Sequence, residues 1–158
     1  MTTIAYSGGV MAADTQVSAG GRKFRTHKVK RLKCGGLIGS SGKLADILKI
    51  QRWAEAGFPE ADKPDFGDEG EFECLIVTGA GDVYLLDEDM ELMPFMDAFI
   101  AVGSGGPYAM AAMECGKNPA EAVAVAAKFD ANTSEPVEVF RVEPKEAPRA
   151  KRRARQNR

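Results

Sequence analysis

A strand pattern begins at the second residue of this chain, and it constrains everything that follows. Thr2-Thr3-Ile4-Ala5-Tyr6-Ser7 alternates, with Thr2, Ile4 and Tyr6 on one face and Thr3, Ala5 and Ser7 on the other. Gly8-Gly9 reads as a tight hairpin turn into a second apolar segment, Val10 to Asp14. Chain ends ordinarily fray, whereas this one is predicted to lie inside a sheet. The small residue at position 2 makes Met1 a substrate for methionine removal, which leaves Thr2 with a free α-amine. A hydroxyl nucleophile and a base then sit on one residue.

A threonine hydroxyl is too weak an acid to attack a carbonyl unaided at neutral pH. An α-amine, with a reference pKa of roughly 7.7–8.0, is suited to take its proton. Threonine with its own N-terminal amine is a recognised nucleophile–base pair. The amine must be neutral, which a nearby cation favours. This chemistry therefore requires a buried lysine, a carboxylate to hold it, and backbone donors for an oxyanion. Taken alone, the opening also fits a Thr2 that is only a β-former in an edge strand.

Composition narrows the class. At 158 residues, 44% hydrophobic and 28% charged, the chain reads as one globular domain with room for a substantial core. No apolar run approaches the ~20 residues of a membrane-spanning helix, and no signal peptide pattern is present, so no membrane association is expected. Cys34, Cys74 and Cys115 are odd in number, far apart and without CxxC spacing. Neither a disulfide framework nor a zinc site is expected, and a reducing cytoplasm is the expected compartment. The single histidine, His27, argues against chemistry that needs two. The net charge of −2 conceals an asymmetry: from Pro144 onward seven basic residues face one acidic residue, leaving −8 on the rest. That segment, 144–158, is expected to be a disordered basic tail beside a domain of residues 1–143. Nucleic acid is not an expected partner except through this tail.

In order, Thr15 to Arg25 is rich in glycine and polar residues and reads as a loop or loose ribbon. His27 to Leu32 alternates so that Lys28 shares a face with Leu32, which makes Lys28 a candidate buried cation. Cys34-Gly35-Gly36 turns into a short strand, Leu37 to Gly39, and a helix follows from about Lys43 to Ala56. Phe58 to Glu71 breaks every periodicity and reads as an exposed acidic loop. Strands follow at 72–78 and 83–87, joined by a glycine hairpin, and a buried strand at 99–102 runs into Gly103-Ser104-Gly105-Gly106-Pro107 and a helix. Asn118-Pro119-Ala120-Glu121 has the form of a capping box for a second helix, and Pro136 to Val142 closes the chain as a strand. None of the glycine-rich pieces has the spacing of a nucleotide-binding loop, so no cofactor is expected. Antiparallel hairpins with grouped helices predict an α/β layered sandwich.

The residues that carry the chemistry also carry a resemblance. Thr2-Thr3-Ile4, Ala13-Asp14, Lys28-Val29-Lys30-Arg31-Leu32 and Gly39 resemble the N-terminal half of bacterial proteasome-type subunits of the HslV kind. Ile100 to Ala109 resembles that family's strand–turn–helix, and Asp130-Ala131-Asn132-Thr133 resembles its Asp, two residues, then Ser or Thr. Together these cover about residues 2–56 and 72–142.

The resemblance implies an N-terminal nucleophile hydrolase fold, a four-layer αββα sandwich of two antiparallel sheets. One helix of the usual pair after the Gly39 turn is expected to be missing. It implies Thr2 as nucleophile, its amine as base, Lys28 as the cation and Asp14 as the carboxylate that holds Lys28. It further implies the Gly39 N–H as oxyanion donor, with Ser104, Asp130 and Thr133 orienting the amine and a water. The expected function is a threonine peptidase acting on peptides or unfolded protein within a homo-oligomer, with an ATP-dependent unfoldase as a possible partner. Two other readings stay open from sequence: a non-catalytic assembly or binding protein using the basic tail, and an amidase for small amides.

Overall fold

A computed structural model of the chain describes residues 2–67 and 70–144. The tail beyond residue 144 and Met1 lie outside the described residues. Two antiparallel sheets face each other and helices cover both outer surfaces. The first sheet has the order β10 (Phe99–Val102), β1 (Ile4–Ser7), β2 (Val10–Ala13), β11 (Glu138–Arg141). The second has the order β5 (Val29–Arg31), β6 (Leu37–Gly42), β7 (Phe72–Val77), β8 (Val83–Asp87), β9 (Met93–Phe95). A separate ribbon pairs β3 (Gln16–Ala19) with β4 (Arg22–Arg25).

Period-two alternation gives the central strands β1, β2, β6 and β7 two buried faces. Ile4, Met11, Leu37, Leu75, Val77 and Val102 fill the space between the sheets. On the outer face of the second sheet, Ile38, Ile76 and Leu86 meet Ile50 and Trp53 of α1 (Leu44–Glu55). On the outer face of the first, Ala5 and Ala12 meet Ala109, Ala112 and Ala122 of α2 (Gly106–Glu114) and α3 (Pro119–Ala126). Small side chains on both sides let these helices lie close to the sheet. The layers are therefore α1, sheet, sheet, and α2 with α3: the αββα sandwich expected from the sequence.

Several boundaries differ from the sequence reading. Thr15 to Arg25 is a true ribbon, because Gly20-Gly21 turns it and Val17 pairs with Phe24. β6 runs three residues past Gly39, since β7 pairs with it as far as Gly42↔Phe72. β9 had no signal in the sequence: its Met93-Pro94-Phe95 is short and mostly exposed, and pairing with β8 alone defines it. The acidic segment holds a short 3-10 turn, Glu60–Asp62, and is less exposed than expected, since Phe58 and Phe66 pack on the α1 cluster. No second long helix lies between β6 and β7 among the described residues.

Candidate active site

The start of the chain is held by Asp14. Thr3 extends the β1–β2 ladder by one pair: its carbonyl accepts the Asp14 N–H at 3.1 Å and its own N–H donates to Asp14 Oδ1 at 2.9 Å. Asp14 is fully buried, and its Oδ2 accepts the N–H of Gln16 at 2.9 Å and of Ser134 at 3.4 Å. Into this donor-rich pocket comes the one side-chain cation that pairs with it among the described residues. Lys28 Nζ donates to Asp14 Oδ1 at 2.9 Å, with Lys28 itself 4% exposed. It precedes β5 on the face it shares with Leu32, as alternation requires, and its carbonyl accepts the Ser40 N–H of β6. Burial pulls the Lys28 ammonium below its ordinary value, against the Asp14 carboxylate and, more weakly, the Asp130 charge.

A second cluster lies alongside. Ser104 Oγ donates to Asp130 Oδ2 at 2.7 Å and Thr133 Oγ1 donates to the same oxygen at 2.5 Å. The Thr133 hydroxyl has a single hydrogen, so in its 2.6 Å contact with Thr3 Oγ1 the Thr3 hydroxyl is the donor. The chain Thr3 to Thr133 to Asp130 thus ties the residue after Thr2 to the carboxylate. Partial burial raises the Asp130 carboxyl, but hydrogen bonds from Thr133, Ser104 and Asn132 outweigh this and hold it below its ordinary value. A carboxylate so depressed stabilises the fold above its unfolded-state pKa, and this contribution is lost as pH falls through the folded value. Asp130→Asn is therefore expected to flatten the acid limb. The gap in Tm between wild type and variant should be largest near neutrality and close below about pH 4, which thermal melts across pH will read.

Two glycines of the 103–106 turn are dictated by close approach. A Cβ on Gly103 would stand 2.0 Å from the Thr2 carbonyl oxygen, and one on Gly105 2.0 Å from Thr3 Oγ1. No larger residue fits either position. Gly103 N–H also donates to Glu73 Oε2 at 3.0 Å, which ties the turn to β7.

Thr2 and Lys28 line one cavity of about 320 Å³, together with Ser40 and Gly42 of β6 and the α1 residues Leu44 and Ile47. Val17 and Ser18 of the ribbon form its other side. Asp14 lies behind Lys28, and Ser104, Asp130 and Thr133 sit behind Thr3 rather than in the cavity wall. Gly39 is placed elsewhere. A Cβ there would meet Ile4 and Met11 between the sheets, so the residue faces the inter-sheet core. Its N–H is directed at β7, because the Lys43 N–H to Glu71 carbonyl bond sets the ladder alternation. By the same alternation the N–H of Gly42 points to the side where β5 has ended, and Gly42 lines the cavity. Among the described residues no cluster of three or more histidine, cysteine or carboxylate side chains is placed to hold a metal ion.

No protein-family model matches the sequence, and no curated protein matches it significantly. Solved structures do match in shape. BPH from Thiobacillus denitrificans in complex with epoxomicin superposes with a TM-score of 0.69 at 19% identity, covering 91% of this chain and 98% of that one. Eukaryotic HslV from Trypanosoma brucei gives 0.66 at 21% identity, covering 89% and 98%. The fold is that of an HslV-type proteasome subunit. A second structure of BPH gives 0.66 at 19% identity, over 92% of this chain and 99% of that one. The HslV-type fold is thus present nearly end to end, while fewer than a quarter of the aligned residues agree.

Two residues that the structure brings to this site, Gly42 and Thr3, are not singled out by the sequence. Gly42 carried no local mark to separate it from Gly39, since only ladder parity distinguishes them. Thr3 falls on the opposite face from Thr2 in the strand pattern, and nothing local indicates a hydroxyl partner 130 residues away.

Proposed function

We propose that this chain is a threonine peptidase of the N-terminal nucleophile type, acting after removal of Met1 within a homo-oligomer. The observation that carries the reading is that Thr2 shares a cavity with Lys28, whose position is set by a 2.9 Å pair to fully buried Asp14. In this scheme the freed α-amine takes the Thr2 hydroxyl proton, and the adjacent positive charge of Lys28 favours the neutral amine. The Oγ1 attacks the scissile carbonyl and the proton passes to the leaving amine. Water then hydrolyses the resulting ester. For the oxyanion we assign the Gly42 N–H in place of Gly39, since Gly42 lines the cavity beside Thr2. One such donor is worth about 2.7–4 kcal/mol. The Thr3–Thr133–Asp130–Ser104 network would keep the backbone of Thr2 in place. The exposed rings of Tyr108 and Phe129 stack at 5.6 Å and offer an apolar surface for association. An unfoldase partner and a peptide or unfolded-protein substrate belong to the same proposal. For the compartment, the structure contributes only that no described helix is long and apolar enough to cross a membrane.

Intact mass of the purified protein with and without epoxomicin tests this directly. Expected are loss of Met1, a stoichiometric adduct of epoxomicin, and disappearance of the adduct in Thr2→Ala. Native mass will report the oligomer. Retained Met1 with no adduct and no peptide hydrolysis would overturn the peptidase and leave the non-catalytic assembly reading.

A further inference from the structure

The cavity beside Thr2 has a charge and hydrogen-bonding character that selects its occupant. Its described lining includes three lysines, Lys28, Lys30 and Lys43, and no carboxylate. Lys28 is taken up by Asp14, and Lys30 reaches Glu55 only at 3.7 Å with both partners over two-fifths exposed. Lys43 is exposed and makes no ion pair among the described residues. Gln51 also lines the cavity. It is 4% exposed, and its carboxamide nitrogen is buried with no hydrogen-bond partner. Between Lys43 and Gln51 the same face of α1 presents Leu44, Ile47 and Leu48 to the cavity.

Each class of side chain meets a different balance here. A basic side chain would face ammonium groups with no carboxylate to receive it. A leucine would cover the apolar wall but bring no acceptor to the lysine ammonium groups. A carboxylate on a short methylene stem meets both the wall and the charge: its stem lies on the α1 side chains, and its oxygens are attracted by Lys30 and Lys43. We infer that this cavity takes an acidic side chain, glutamate ahead of aspartate because the longer stem covers more of the apolar wall. Resting on the peptidase reading, this makes the chain a hydrolase that cleaves after glutamate.

Binding separates the pocket from the chemistry, because it needs no freed amine. Acetyl-Ala-Ala-Xaa-amide peptides with Glu, Gln, Leu or Lys at Xaa are titrated calorimetrically into the full chain. The Glu peptide should bind about tenfold tighter than the Leu and Lys peptides, charge-assisted hydrogen bonds being the strong ones. Gln should fall between, and the Glu–Gln gap should narrow as salt is raised. Lys43→Glu, at an exposed position, should invert the Glu–Lys order. Equal or tighter binding of Leu or Lys, no binding of any peptide, or an unchanged ranking in Lys43→Glu overturns the inference. Fluorogenic amides of the same peptides then read hydrolysis. The expected ranking in binding with no turnover would overturn the peptidase and leave the acidic pocket standing.

Discussion

Asp14→Ala is expected to cost the fold about 3–5 kcal/mol, the usual price of breaking a buried ion pair by removing one partner. Alanine leaves the Lys28 ammonium and the N–H groups of Thr3, Gln16 and Ser134 without their acceptor, all at a site with no water access to Asp14. With that carboxylate gone, burial acts on Lys28 against only the weaker pull of Asp130, so its ammonium form is further disfavoured. Lys28→Met separates the two roles. It keeps the carboxylate and its backbone donors, so it should cost less stability than Asp14→Ala while removing the charge beside Thr2 and, on the proposed mechanism, hydrolysis with it. Urea unfolding of both variants checks the order. An Asp14→Ala protein within about 1 kcal/mol of wild type would mean that the carboxylate does not organise this end of the chain.

The second large effect is expected at Gly103. Its φ of +88° lies in the left-handed region, and a methyl group there would stand 2.0 Å from the Thr2 carbonyl oxygen and 3.0 Å from Ser41 Oγ. Backbone atoms cannot rotate away as a flexible side chain can, so Thr2 itself must move. Gly103→Ala should therefore lose about 3 kcal/mol or more, backbone strain and overpacking acting together, and epoxomicin labelling should fail even where the protein folds. Gly8→Ala is the internal control: its φ of +55° is also left-handed, yet nothing lies within 4 Å of the added methyl. It should show the strain without the clash, about 1 kcal/mol. Equal losses at the two positions would show that Thr2 is not held against Gly103.

What can be read along the chain and what cannot divide by the range of the interactions. The Gly8-Gly9 hairpin and the strands around 79–82 follow from turn residues between alternating runs, and those pairings are observed. The capping box at Asn118 is present with both of its hydrogen bonds, because all its atoms lie within one turn. Period two put Lys28 on one face with Leu32, and both are buried, but Lys30 on the same face is 42% exposed, so packing chose between the two lysines. Resemblance extended this to the αββα sandwich, since short segments in the right order suffice to identify layers.

The remainder depends on distance through space. β9 exists because β8 offers it an edge, and its own three residues carry no pattern. Gly39 and Gly42 are alike in sequence; only the register of β6 between β5 and β7 decides which N–H enters the ladder and which meets the cavity. The unpaired carboxamide of Gln51 is visible only once α1 is laid against the cavity. Local alternation and turn chemistry determined which residues are strands and which face is buried, because those forces act between neighbours. Which groups meet across the fold, Thr3 with Thr133 above all, was decided by tertiary packing, because a hydrogen bond across 130 residues has no counterpart in the spacing of the chain.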